Sequence, residues 1–83
     1  MRFGVFIVAL LLALPDIAVA QSSKHERDMQ TIDATMQTAK ITPAQRAQVT
    51  KLRQEGAKLH YAGNHGAADV AFEKAKAILA SAR

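Results

Sequence analysis

Two short stretches, Thr42-Pro43-Ala44-Gln45 and Ala62-Gly63-Asn64-His65-Gly66, decide how this chain folds. In the first, the Thr42 hydroxyl suits an N-cap, accepting a backbone N–H from the first turn of a helix. Pro43 suits the next position, where its missing N–H costs nothing. Gln45, three residues after the cap, can reach back and complete a capping box. A helix is therefore predicted to begin at Pro43. In the second stretch, Gly63 can end that helix in a left-handed conformation, and Asn64 can cap the next one. The following helix is predicted over His65–Ser81. So short a turn makes the two helices antiparallel neighbours.

Apolar spacing fills in the faces. The helix from Pro43 carries Val49, Leu52, Gly56, Leu59 and Gly63 on one stripe, with Tyr61 and Ala62 near an edge. Gly56 costs such a helix about 1 kcal/mol relative to Ala, so a glycine on the buried stripe points to close approach by a neighbouring helix. The last helix presents Ala68, Ala71, Phe72, Ala75, Ile78 and Leu79, leaving Asp69, Glu73, Lys74 and Lys76 mostly outward. Upstream, Met29, Ile32, Met36 and Ala39 recur at steps of three and four, which predicts an amphipathic helix over His25–Ala39. Its stripe is thin and its other faces are polar, so this helix needs a neighbour. No strand pattern occurs after residue 20. The fold class expected is all-α: three helices, with an N-terminal helix (within 21–42) packed on a helix-turn-helix (43–83).

The order Gly56-x6-Gly63-Asn64-His65-x2-Ala68-x3-Phe72-x2-Ala75, with Leu52 and Leu59 at large apolar positions, resembles a tetratricopeptide repeat. The resemblance covers one unit, from near Val49 to Ala82. It implies a helical hairpin in which small residues set the helix contact and the aromatic ring fills the gap. Glu55 stands where the family prefers an apolar residue, and Ala80 where a proline often closes the repeat. Such proteins normally stack about three units, because one hairpin cannot bury its own apolar faces. The helix carrying Met29 and Met36 is expected to cover the hairpin instead, and the family's concave peptide groove is not available from one copy.

Residues 1–20 read as a secretory signal peptide. Met1-Arg2 leads an apolar run from Val5 to Leu14, followed by Pro15 and the small-residue triplet Ala18-Val19-Ala20. Pro15 and Asp16 interrupt the run before it reaches the roughly 17–25 residues of a membrane span. Cleavage after Ala20 is expected, giving a periplasmic or secreted protein that meets the membrane only transiently, during export. No cysteine follows that site, so lipid attachment of the lipoprotein kind is excluded.

The chain has 11 Lys and Arg against 7 Asp and Glu, a formal charge of +4, and no cysteine. Removing Arg2 and Asp16 with the leader leaves that balance unchanged. Scattered positive charge of this size falls short of a nucleic-acid footprint. Without disulfides, a domain this small relies on helix packing worth about 3–5 kcal/mol at best, and a protein partner or self-association would help.

No catalytic constellation is visible, and none of the residues forms a recognisable cofactor or metal motif. Ser22, Ser23 and Ser81 lie near the predicted ends of elements, outside any nucleophile-elbow context. No two of His25, His60 and His65 have the i, i+4 spacing of a helical metal site, and structural roles are expected for all three. His25, Met29 and Met36 together would suit copper, but methionines at helical spacing are ordinarily core. Asp28, Asp33, Glu55, Asp69 and Glu73 suggest no acid–base pair. Arg46, Lys51, Arg53 and Lys58 could touch an anionic surface, or simply keep the helix soluble. The reading that follows is a non-enzymatic protein–protein interaction module, with Met29, Ile32, Met36, Leu52, Leu59, Phe72 and Leu79 as core or interaction surface. A copper carrier and a protein held to an anionic membrane surface are the alternatives.

Overall fold

A computed structural model describes residues 23–82. The expected leader, its cleavage site and the polar Gln21 and Ser22 lie outside the described residues. Those described form three helices and no strand: α1 over 23–38, α2 over Pro43–Tyr61 and α3 over His65–Ser81. The chain runs up, down and up, with α1 packed on the α2–α3 hairpin.

The boundaries follow local chemistry. Thr42 is extended (φ −69°, ψ 160°), and its hydroxyl accepts from Gln45 N at 3.1 Å. The Gln45 side chain accepts from Thr42 N at 2.9 Å, closing the capping box. At the other end Gly63 takes φ +85° and donates to the His60 carbonyl. A side chain there would be strained, since only glycine adopts that conformation without cost. Asn64 then caps α3, its side-chain oxygen accepting from Ala67 N.

Met29 and Ile32 of α1, Val49 of α2, and Ala68, Phe72, Ala75 and Leu79 of α3 make the core. Met36 and Ala39 pack against it. Gly56 gives the close approach that its position on the stripe implies. A Cβ built on it would stand 2.7 Å from Cδ1 and 2.8 Å from Cζ of Phe72. The alanines of α3 bring the backbones together, and the Phe72 ring lies across the bare glycine.

One expectation needs correcting. Of the stripe Val49, Leu52, Gly56, Leu59 and Gly63 expected on α2, Val49 and Gly56 are buried, and His60 joins them. At 3.6 residues per turn, Leu52 and Leu59 stand roughly 40–80° round from Val49 and Gly56. They are half-buried and pack against the core. Gly63 also leaves the stripe, because α2 has ended before it.

Candidate functional site

His25 opens the buried face of α1, four and seven residues before Met29 and Ile32. His60 lies in the last turn of α2, one turn beyond Gly56 on the same line. His65 is the first residue of α3, seven before Phe72. Because the chain runs up, down and up, these three helix ends meet at one end of the molecule. The histidines, far apart in sequence, form one cluster there.

His25 is 1 % exposed and His60 7 %; His65 is half-buried. The Nδ1 atoms of His25 and His60 are 3.0 Å apart. One ring therefore donates a proton to the other. His65 stacks on His25 with 5.7 Å between ring centroids and meets His60 edge-on at 5.3 Å. One ring nitrogen from each histidine lies within 4.8 Å of the other two. The Nδ1 of His65 is buried with no hydrogen-bond partner among the described residues. On its far side His25 turns Nε2 toward Asp69 Oδ1, at 3.7 Å. Burial holds the His25 imidazole below its ordinary pKa, aided by the neighbouring His60 and opposed by Asp69. The ring favours the neutral form, in which one nitrogen carries a hydrogen and the other a lone pair that can accept a proton or a metal ion.

Beside the histidines is an ion-pair network. Asp28, whose carboxylate is almost buried, bridges Lys24 at 3.1 Å and Lys76 at 2.9 Å. Lys24 also pairs with Asp69, and Lys76 with Glu73 at 2.6 Å. On the outward face of α3, where Lys74 and Lys76 are the nearest cations in sequence to Asp69 and Glu73, only Lys76 pairs with either. Lys24 of α1 takes the place of Lys74. The Asp28, Asp69 and Glu73 oxygens are close enough together to suggest a cation site, but the two ammonium groups already occupy their midst. Burial, the largest single influence, pushes the Asp28 carboxyl up; hydrogen bonds from Lys76 and Lys24 outweigh it and hold the group below its ordinary value.

The basic residues of α2 divide. Arg53 grips Asp33 of α1 with two bonds of 2.9 Å, and Arg46 donates to the Met36 carbonyl at 3.2 Å. Both tie α1 to α2. Lys58 instead borders a groove of about 410 Å³ on the outer side of the hairpin, floored by Leu52, Leu59, Val70 and Ala71 and bounded by Lys74. Val70 is 53 % exposed there. Met29 is buried and Met36 packs on the core, while His25 faces two other histidines. Among the described residues no helix is long and apolar enough to cross a membrane.

Sequence spacing tests only pairs on one helix, and no such pair exists here. The one available signal was that His25 and His60 extend the apolar lines of their helices, at positions normally filled by core residues. No protein-family model matches the chain, and comparison with characterised proteins and with solved structures gives no match.

Proposed function

We propose that this chain is an exported, non-enzymatic helical interaction module, built on a single hairpin of tetratricopeptide-repeat type. Its docking face is the outer side of α2 and α3, and its partner is a protein. The observation carrying this reading is that α1 covers only one side of the hairpin. The other side keeps Leu52, Leu59 and Val70 in a groove edged by Lys58 and Lys74, with Glu55 also on its rim. A partner segment suited to it is an amphipathic helix whose apolar residues enter the groove and whose acidic flanks meet the lysines. The leader-like residues 1–20 support export. The absence of a nucleophile–base pair from the sequence motifs supports a binding role over catalysis.

The test is photocrosslinking in living cells from a probe at Val70, compared with one at Gln30, an exposed position on α1. One protein captured reproducibly at Val70 and not at Gln30, and lost on Leu59→Glu, supports the module. Equal capture at both positions, or none at Val70, rejects it. Self-capture at Val70 that tracks a dimer in sedimentation makes the partner a second copy.

A further inference from the structure

We propose that His25, His60 and His65 form a binding site for a divalent first-row transition ion of the zinc class, one imidazole coming from each helix. Three features of the cluster converge on this assignment. The first is chemical: three imidazoles without thiolates form a donor set suited to zinc, copper or nickel, and three protein ligands leave a fourth position open. The second is distance. A tetrahedral ion with metal–nitrogen bonds of about 2.0–2.1 Å holds its ligand atoms roughly 3.3 Å apart. The Nδ1 atoms of His25 and His60 already stand 3.0 Å apart, and all three donors fall within 4.8 Å.

The third feature is the unfinished hydrogen bonding. Buried polar atoms are nearly always paired, yet Nδ1 of His65 has no partner among the described residues. Where His25 points Nδ1 inward, its Nε2 faces the Asp69 carboxylate at 3.7 Å. Metal-bound histidines commonly turn their second nitrogen to a carboxylate in this way, which orients the ring and raises its basicity. Asp69 is accordingly a positioning residue. The neighbouring carboxylates are not the site, since Lys24 and Lys76 lie among them.

The site has a physical consequence for a chain with no cysteine. An ion held by His25, His60 and His65 pins α1 to both arms of the hairpin, the work a disulfide does in other small domains. Binding free energy of this kind adds directly to folding free energy.

The experiment is titration of the full-length chain with Zn²⁺ alone, followed by calorimetry and by ¹⁵N imidazole NMR, with Co²⁺ as a spectroscopic probe. One equivalent of Zn²⁺ is expected to bind, move nitrogen resonances of all three histidines and raise the unfolding midpoint. Co²⁺ is expected to give the visible bands of a tetrahedral site, which Zn²⁺ then abolishes. His65→Gln, at the least buried of the three positions, should remove tight binding while leaving the helical circular dichroism intact. Asp69→Asn should weaken it roughly 10–100-fold. His60→Gln should likewise abolish tight binding, and if it fails to fold, the wild-type imidazole resonances and His65→Gln decide alone. No binding, or Zn²⁺ binding that leaves the imidazole nitrogens unmoved, overturns the site. Unchanged affinity in a folded His65→Gln variant overturns it as well.

Discussion

Gly56 and Gly66 are the same residue type on neighbouring helices, and alanine at each should act with opposite sign. At Gly56 an added methyl collides with the Phe72 ring, which is fully buried and has no room to swing away. Overpacking of this kind costs about 1–3 kcal/mol, and the better helix propensity of alanine returns about 1. Gly56→Ala is therefore expected to lose up to about 2 kcal/mol. At Gly66 nothing lies within 4 Å of the added carbon. Gly66→Ala should gain about 0.4–1 kcal/mol by narrowing the unfolded ensemble. Urea unfolding of both variants checks the pair. A stabilised Gly56→Ala would mean that Phe72 does not rest on the glycine.

At the scale of elements, Thr42 is the side chain whose loss should most cleanly weaken one helix. Thr42→Ala opens the capping box with Gln45 and should cost about 1 kcal/mol, read as a lower denaturant midpoint at unchanged slope. Capping signals of this sort are legible in sequence because donor and acceptor sit within one turn. Thr42, Gln45, Gly63 and Asn64 therefore placed the hairpin, and the period of Ala68, Phe72, Ala75 and Leu79 placed the face of α3. The face of α2 was harder to read. Leu52 and Leu59 are its largest aliphatic residues, yet α1 meets Val49 and His60, Gly56 lies against Phe72 of α3, and Arg53 leans toward α1 to reach Asp33. Which edge of a helix is covered depends on where its neighbour comes from, and no local pattern records that. The histidine cluster escaped for the same reason: each ring comes from a different helix, and only the packing brings them together.

For the whole molecule, the question is what holds α1 on the hairpin. Asp28 is the deepest charged link, almost buried between Lys24 of its own helix and Lys76 of α3. Its carboxyl is held below the ordinary value of 3.8. The folded state thus binds that proton less readily than the unfolded chain does. The resulting stability is fully present above about pH 4 and is lost as the pH falls through the depressed value. The wild-type chain should accordingly lose stability steeply below pH 4. Asp28→Asn should unfold with a flatter acid limb, and at pH 7 it should be about 1.5–3 kcal/mol weaker, because it removes charge-assisted bonds to Lys24 and Lys76. Urea midpoints measured from pH 7 down to pH 2 test this, and parallel curves for the two proteins would remove Asp28 from the account. The same contact sets what the hairpin can do alone. Without α1, the buried surfaces of Val49, Phe72 and Leu79 face water, and a domain of this size has only about 3–5 kcal/mol in reserve. Losing the Met29 and Ile32 contacts exceeds that margin, since each large aliphatic side chain removed from a core costs about 2–5 kcal/mol. A peptide of residues 40–83 should therefore be largely unfolded by circular dichroism at 25 °C, while the chain that includes α1 is helical and unfolds cooperatively. A stably helical, cooperatively melting 40–83 peptide would mean that α1 is an accessory, and that the hairpin closes its own core.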